Sequence, residues 1–323
     1  MLQKSQINFR SPRVILGIAV VGICAIAPIV ATLIDEPYYV NLFARMMIWA
    51  IAAISLNLIL GYGGMISFGH ALYLGIGAYA VGICAYYDIN NVAVQLAVAL
   101  AAGALIALVF GSISLRTRGV YFIMITMALT QMIYYLAISI EEYGSDDGLI
   151  IYVRSDFGTS LINMDNAIHR YYLIFAVLVG CLYFSKRFVN SRFGHVIRGI
   201  KSNETRMEVI GHSTFRYRLA CFVIAGVMCT IAGVLSANVE KFVSPDVLHW
   251  TRSGELIFMV VLGGMASILG PVTGAMVFWL VSEVLSRITE HWHIIFGPLL
   301  IAVVLLSPRG IDGLITRRGN TRE

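Results

Sequence analysis

Residues 46–87 read MMIWAIAAISLNLILGYGGMISFGHALYLGIGAYAVGICAYY. This stretch contains no lysine, arginine, aspartate or glutamate. The hydrocarbon core of a membrane is about 30 Å thick and takes roughly 20 apolar residues per helical crossing. The run is therefore long enough for two crossings. The glycines Gly61, Gly63 and Gly64 place the predicted break between them.

The whole chain shares this apolar composition. Of its 323 residues, 59% are hydrophobic and 13% are charged, whereas soluble domains carry about 25% charged residues. The apolar runs leave no room for a soluble domain and predict about 10 transmembrane segments, within a range of about 8 to 10. The expected fold class is all-α, a polytopic transmembrane helical bundle in which some helices are broken at glycine-rich motifs.

The placement of charge predicts how the bundle is oriented. Residues 186–218 carry eight lysines and arginines against two glutamates, whereas residues 141–170 begin with Glu141 and Glu142. Because basic residues concentrate in cytoplasmic loops, we expect 186–218 in the cytoplasm and 141–170 as the main periplasmic loop. The same rule makes residues 1–13 and 308–323 cytoplasmic tails on either side of a transmembrane domain at 14–307. The net charge of +5 follows from this pattern and does not indicate nucleic-acid binding.

Two further boundaries depend on single features. Residues 14–34 are uncharged and exceed the apolar core of a typical signal peptide, so we expect an uncleaved first crossing. Residues 244–250 end in Trp250, a residue type enriched at membrane interfaces, so we expect them at the outer surface. The next apolar run then begins at Leu256.

The residue chemistry does not indicate an enzyme. The sequence has no His-Glu-x-x-His motif, and His291 and His293 would point to different faces of a helix. None of the four lysines follows a glycine, so a phosphate-binding loop is missing and we expect no ATP hydrolysis by this chain. The five cysteines lie in apolar stretches without metal-site spacing, and we expect them to be buried and free. No catalytic residue, metal or bound cofactor is predicted.

Charges within the apolar runs are scarce. A charge in mid-membrane costs at least ~2.5 kcal/mol, and ion-driven carriers commonly place acids or histidines there. Here almost every charge lies at a predicted helix end, and the nearest exception is Glu283 with Arg287, spaced as a helical ion pair. This scarcity argues against an ion-coupled secondary carrier. A membrane-embedded enzyme or scaffold remains a further alternative.

Two glycine-rich interruptions resemble each other. The stretches 60–65, LGYGGM, and 262–265, LGGM, look like degenerate copies, and paired interruptions of this kind point to an internal repeat around a transport path. Helix packing through small residues explains the glycines equally well. The candidate path residues at the two interruptions are Gly63, Gly64, Ser67, His70, Gly263 and Gly264. For His70, a buried histidine bonded to a neighbouring helix is the alternative to a substrate ligand.

The basic loop contains a predicted short helix. Within FGHVIRGIKSNETRMEVIG, residues 193–211, Asn203 suits an N-cap, Glu204 suits the first turn and Gly211 suits the end. Met207 and Ile210 give the helix one apolar face. Two helical turns alone are marginal in water, so we expect this segment to pack on something else. The surface of lipid headgroups and a partner subunit are both compatible with its charge.

Several of these motifs together resemble one family. GYGGMISFGHA at 61–71 with GIGAY at 75–79 is similar to the permeases of branched-chain amino acid ABC importers, the LivH/LivM permease family. The stretches 115–122, 144–149, 193–211, 244–246 and 260–271 follow in that family's order, and the likeness covers about residues 57–309. Within the family the pattern is of the LivM type. Two departures are His195, where an arginine is usual, and Glu141-Glu142-Tyr143, where a Thr-Gly pair is common.

The resemblance implies a permease subunit of an ATP-driven importer for leucine, isoleucine and valine. Its expected partners are two ATP-binding cassette subunits that carry ATP and Mg, a second, related permease subunit, an extracytoplasmic solute-binding protein and membrane lipid. The expected location is the bacterial inner membrane. The residues that the resemblance assigns to contact with the ATPase are Asn203, Glu204, Met207, Glu208, Ile210 and Gly211. A urea or short-chain amide permease of the same family is the closest alternative.

Overall fold

The computed structural model describes residues 37–156 and 164–289, together with 22, 24–28, 291, 294–298, 301, 305 and 310. The tails at 1–13 and, apart from Gly310, at 308–323 lie outside the described residues, as do most of the predicted first and last crossings. The cytoplasmic placement of both termini therefore stays a prediction.

Ten helices and two short strands make up the two long described ranges. The first five helices are α1 Pro37–Asn57, continued by a π-helical turn Leu58–Tyr62, then α2 Ala71–Tyr86, α3 Val92–Ser114, α4 Val120–Ser139 and α5 Ala167–Val189. The next five are α6 Arg192–Ser202, α7 Glu204–Val209, α8 Thr214–Glu240, α9 Trp250–Gly263 and α10 Gly270–Ile288. The strands are β1 Leu149–Ile150 and β2 Phe242–Val243, and 3₁₀ turns form Glu141–Tyr143 and Pro245–Leu248.

The helices confirm a polytopic all-α membrane protein. Six helical segments in the described residues are long and apolar enough to cross a membrane, namely Tyr38–Tyr62, Val92–Ser114, Val120–Ser139, Ala167–Val189, Thr214–Glu240 and Gly270–Ile288. The apolar helix α2 is shorter. The predicted break after Leu60 is present, since no regular helix connects Tyr62 to Ala71. The total of about ten crossings stays a prediction.

The centre of the bundle is formed by α1 and α8, which run antiparallel. Arg45 in α1 lies 3.6 Å from Glu240 at the end of α8, whereas Cys221 near the start of α8 donates to the carbonyl of Leu58. α1 is the most buried of the six long segments and α4 the least buried. In their apolar stretches of 18 residues, 89% and 17% of the residues are buried. α4 therefore lies at the periphery of the chain.

The two halves of the bundle pack in corresponding ways. α1 lies against α10 as α8 lies against α3, and α2 lies against α3 as α9 lies against α10. Each first helix is followed by a mostly non-helical segment, 63–70 after α1 and 241–249 after α8. Because α1 and α8 are antiparallel, this is the arrangement of an inverted repeat. The sequence paired the glycines at 61–64 with those at 263–264, but in the structure the counterpart of 63–70 is 241–249.

The end of the segment 241–249 lies inside the bundle, so the predicted place of residues 244–250 at the outer surface is wrong for Leu248 and Trp250. Leu248 lies against Gly75 in α2, and Trp250 lies 6.2 Å from Phe68, ring centre to ring centre. The segment thus follows α2 down towards the start of that helix. It is held at its upper part by antiparallel pairing of β2 with β1. As a result α9 begins inside the bundle, six residues before the apolar run that the sequence marked at Leu256.

The start of α1 was also predicted too late. In the sequence the charge-free apolar run begins only after Arg45, at Met46. In the structure the helix begins at Pro37, and Arg45 lies inside it. The nearby carboxylate of Glu240 gives the arginine a partner there. A tertiary contact between distant segments therefore overrides the local boundary signal.

Candidate functional site

The segment 63–70 interrupts the helices, and hydroxyl groups of other helices bind the backbone at its end. The backbone N–H of Phe68 donates to Thr126 Oγ1 at 3.2 Å, and that of Ala71 donates to Ser253 Oγ at 2.9 Å. Non-helical backbone is tolerated at membrane depth only where protein groups replace the missing hydrogen bonds. The break is therefore stabilised by tertiary contacts with hydroxyl groups of α4 and α9.

Two of the predicted path residues are fully enclosed by this segment. Ser67 and His70 are both 0% exposed. His70 Nε2 lies 2.7 Å from Ser55 Oγ on α1, while its Nδ1 has no hydrogen-bond partner among the described residues. The geometry favours the alternative of a buried histidine bonded to a neighbouring helix. Of the six predicted path residues, Gly64 is the exposed one within this chain.

The two glycine-rich interruptions meet through a residue that the sequence analysis missed. Asn57 Nδ2 donates to the carbonyl of Ser267 at 2.7 Å, and the N–H of Ala266 donates to Asn57 Oδ1 at 3.1 Å. A Cβ at Gly61 would lie 2.6 Å from the backbone nitrogen of Ala266, so only glycine allows this approach. An asparagine in a charge-free membrane helix was the available signal, because a buried amide needs partners.

The basic loop reaches the same place. The Nζ of Lys201, at the end of α6, donates to the carbonyl of Gly61 at 2.6 Å. Carbonyls at the end of a helix lack an intrahelical partner, and this ammonium supplies one. The aliphatic part of Lys201 also lies against Gly64. A continuous series of contacts therefore joins α6 to Gly61, Asn57 and the turn at 266–267.

The short helix in the basic loop forms as the sequence predicted. Asn203 caps α7, because its Oδ1 accepts from the N–H of Arg206 at 2.9 Å. Glu204 stands in the first turn, and Gly211 follows the helix with a φ of +96°. The preceding helix α6 was not predicted. It folds against α7, since Met207 packs on Gly199.

This α6–α7 hairpin, Arg192–Ile210, presents an apolar tip at the C-terminal end of α7. Val209 is 84% exposed and Ile210, just after α7, is 65% exposed. Met207, which was predicted to share a face with Ile210, instead packs inside the hairpin. The exposed apolar pair is therefore Val209 with Ile210.

Ion pairs fix the base of the hairpin, the turn between α6 and α7 at residues 201–204, to the bundle. Glu204 Oε2 lies 2.9 Å from Arg218 in α8 and 3.4 Å from Arg118, just before α4. Glu208 accepts from Thr214 Oγ1 at 2.9 Å. Because the Glu204 and Arg218 side chains are only 15% and 17% exposed, this pair is less screened than a surface pair. A displacement of α7 would thus be transmitted to two membrane helices.

At the opposite end of the bundle, residues 141–156 form a folded cap. Tyr87 Oη lies 3.3 Å from both Glu142 Oε1 and Tyr143 Oη. The hydrogen bond with Tyr143 and the charge of Glu142 raise the pKa of Tyr87 to about 12, so this phenol stays protonated at neutral pH. Arg154 Nε donates to the carbonyl of Asn238 at 3.0 Å. These contacts, with the β1–β2 pairing, hold the cap on α2 and α8.

Four charged residues form two ion pairs on α1, α8 and α9, and the charges of Glu240 and Arg252 interact between the pairs. Arg252 Nη1 lies 3.1 Å from Glu255 Oε1, and Arg45 Nε lies 3.6 Å from Glu240 Oε1. No local signal in the sequence marks this cluster, because each of its charges lies at the end of an apolar run. The predicted pair of Glu283 and Arg287 is present at 3.1 Å. Within the described residues, no group of three or more histidines, cysteines, aspartates or glutamates could hold a metal ion.

Comparison with known proteins identifies the family. The model of the family "branched-chain amino acid transport system / permease component" matches residues 38–304. The chain belongs to this permease family. The permease is 24% identical over 294 residues to the high-affinity branched-chain amino acid transport system permease protein LivM of Salmonella typhimurium, covering 84% of this chain and 69% of that protein.

Two further relatives widen the comparison. The permease is 23% identical over 335 residues to the probable branched-chain amino acid transport permease protein LivM of Methanocaldococcus jannaschii, with 84% of this chain and 93% of that protein covered. It is 31% identical over 126 residues to the high-affinity branched-chain amino acid transport system permease protein LivH of Salmonella typhimurium. This match covers 38% of this chain and 40% of that protein. No solved structure matches significantly. The sequence expectation of a LivM-type permease is confirmed.

Proposed function

We propose that this chain is the membrane-spanning permease subunit of an ATP-driven importer of branched-chain amino acids. The family match over residues 38–304 supports the substrate class. In this proposal the chain makes and breaks no covalent bonds, and ATP with Mg is bound by partner subunits. An extracytoplasmic binding protein delivers leucine, isoleucine or valine to the end that carries residues 141–156. A second, related permease completes the path in the bacterial inner membrane.

The observation that carries the coupling part of this proposal is the α6–α7 hairpin. Its tip exposes Val209 and Ile210 next to charged side chains, which suits burial in a groove of a partner protein. Its base holds Lys201 on Gly61 and Glu204 on Arg118 and Arg218. The hairpin would therefore transmit a movement of the ATPase to the interruptions in the membrane helices.

In the proposed transport cycle, ATP binding can drive the permease only if it stabilises one conformation of the complex more than the other. A ligand or partner shifts a conformational equilibrium by as much as its affinities for the two states differ. We infer that ATP binding favours one position of the ATPase and hence one position of α7. The contacts from Lys201 through Asn57 to residues 266–267 would then change together, opening the path to one side and closing it to the other.

The test is purification of the tagged chain with its neighbouring subunits. Wild type is compared with a Val209→Asp, Ile210→Asp variant, and bound subunits are identified by mass spectrometry. We expect the ATPase to accompany wild type and to be lost from the variant, because charges at the tip disfavour burial. Tyr152→Asp is the matched control, since Tyr152 is 84% exposed at the far end of the bundle. Wild type purified without any ATPase would refute the proposal.

The amide alternative uses the same motifs. Uptake measurements with labelled leucine and labelled urea in the reconstituted complex separate the two substrates. Uptake of urea but not of leucine would replace the proposed substrate and leave the coupling scheme intact. Transport that persists without ATP but stops when the proton gradient is dissipated would favour an ion-coupled carrier.

A further inference from the structure

The start of α9 lies deep inside the bundle. The hydroxyl of Ser253 accepts a hydrogen bond from the backbone N–H of Ala71, the first residue of α2. α2 continues from there for 16 residues to Tyr86, a rise of about 24 Å at 1.5 Å per residue. A membrane core is about 30 Å thick. Ser253 and its neighbours therefore lie far from the end of the bundle at which α2 terminates.

Arg252 and Glu255 flank this position and are paired. Arg252 Nη1 donates to both carboxylate oxygens of Glu255, at 3.1 and 3.2 Å. The two side chains are 39% and 22% exposed in this chain, so the pair is open on one side. A charged pair at this depth is unfavourable against lipid, and such residues mark substrate or ion pathways. The open side therefore faces water or a partner subunit.

The surroundings of the pair are apolar and aromatic. Thr251, Glu255 and Phe258 follow one another at helical spacing, so they share one face of α9. Phe258 is 46% exposed on that face, and Trp250 with Phe68 closes the upper end at 6.2 Å. Glu255 and Phe258 thus place an anion and an apolar surface on this face, and Arg252 lies at its side, paired with Glu255.

We propose that Arg252 and Glu255 bind the charged backbone of an α-amino acid in transit, and this proposal depends on the proposed function. The guanidinium of Arg252 would hold the α-carboxylate through two N–H groups, and Glu255 would hold the α-ammonium. The aliphatic side chain would lie along Phe258. In a zwitterionic amino acid the ammonium and the carboxylate are attached to the same α-carbon. The ligand can therefore replace the Arg252–Glu255 ion pair and leave neither residue unpaired.

Arg45 and Glu240 make the cluster complete and electrically neutral. Glu240 lies close enough to Arg252 for the two charges to interact. Two positive and two negative residues favour a dipolar ligand over a simple cation or anion. An uncharged amide such as urea would gain little from this arrangement, so the cluster also favours the amino acid over the amide substrate.

The chain contains a matched ion pair for comparison. Arg287 and Glu283 are 3.1 Å apart on α10, with exposures of 61% and 22%. They lie beside Tyr38 near the start of α1, at the end of the membrane segment. The same two residue types at a similar distance therefore occur once deep in the bundle and once at its edge.

The experiment measures labelled leucine uptake and ATP hydrolysis by the full complex in proteoliposomes. In the Arg252→Gln, Glu255→Gln double variant we expect uptake to fall at least tenfold, with the other subunits still co-purifying. The Glu283→Gln, Arg287→Gln control is expected to keep uptake within twofold of wild type. Uptake within twofold of wild type in the first variant would overturn the proposal.

Two further variants cover the case in which the double variant does not assemble. The exchanged pair, Arg252→Glu with Glu255→Arg, restores an ion pair; assembly without transport supports the proposal, and restored transport overturns it. Arg252→Lys keeps the charge but loses the two-pronged contact, so we expect a raised KM for leucine. An unchanged KM would argue against a substrate contact. Failure of the proposed function is distinguishable, because wild type itself would then lack an ATPase or leucine uptake.

Discussion

The two mostly non-helical segments, 63–70 and 241–249, follow corresponding helices but are stabilised by different means. The first is held by hydroxyls of α4 and α9 and connects through Lys201 to the α6–α7 hairpin. The second is held by strand pairing with residues 149–150 and leads to the charged start of α9. The first segment is thus joined to the end of the bundle that carries the α6–α7 hairpin, and the second to the end that carries residues 141–156.

The largest expected effect comes from filling the close approach between the π-helical turn Leu58–Tyr62, just before the first segment, and the turn at 266–267. In Gly61→Val the new side chain meets Asn57 and the backbone of Ala266. Overpacking typically costs about 1–3 kcal/mol, and here backbone cannot move aside easily. We expect a lower thermal unfolding midpoint in detergent and loss of the assembled complex. Gly180→Val is the control, because the site has no neighbouring atom within 4 Å.

The next effect is loss of the link between the two glycine-rich interruptions. Asn57→Leu leaves the N–H of Ala266 and the carbonyl of Ser267 without their partner. Each unsatisfied buried group costs about 1–3 kcal/mol. Asn57→Asp keeps the acceptor but replaces the donor to Ser267 with a second acceptor and adds a buried charge, so its unfolding midpoint should fall at least as far as that of Asn57→Leu. Equal midpoints for all three proteins would show that the link contributes nothing.

Removing the ammonium of Lys201 should change coupling more than stability. Lys201→Met keeps the aliphatic contact with Gly64 and removes the bond to the Gly61 carbonyl, a net contribution of about 1 kcal/mol. We expect several-fold less leucine transported per ATP hydrolysed, at nearly unchanged unfolding midpoint. Lys186→Met, a change of the same kind in the same basic loop, should keep the wild-type ratio. A wild-type ratio in Lys201→Met would break the proposed connection.

The smallest effect directly compares the two segments. Thr126→Val removes the acceptor for the N–H of Phe68 in the first segment, and Ser244→Ala removes the acceptor for the N–H of Asp246 in the second. Asp246 is exposed and water can replace the lost bond, whereas Phe68 is partly buried. We expect the free energy of unfolding to fall by about 1 kcal/mol for Thr126→Val and by a few tenths of a kcal/mol for Ser244→Ala. The measurement is the shift of the unfolding midpoint in detergent. Equal losses would contradict the difference described above.

Local signals in the sequence were sufficient for the helical segments and for α7. Apolar runs of about 20 residues can satisfy their backbone only as helices in a membrane, so composition and length predict them directly. The cap at Asn203 and the end at Gly211 depend on residues within one turn, and both are present in the structure. The glycine break after Leu60 and the pair of Glu283 with Arg287 were likewise visible locally.

The sequence could not give the depth of residues 241–255 or the partners of Arg45 and Lys201. Charge and tryptophan place a segment near the membrane surface only while no distant residue compensates for burial. Here Glu240 compensates for Arg45, Ser253 for the backbone of Ala71, and the carbonyl of Gly61 for Lys201. Each pair joins residues far apart in the chain. The sequence by itself therefore determined that this protein is a helical membrane permease, and the tertiary structure decided where its polar groups lie, because burial of a polar group depends on partners that only folding brings together.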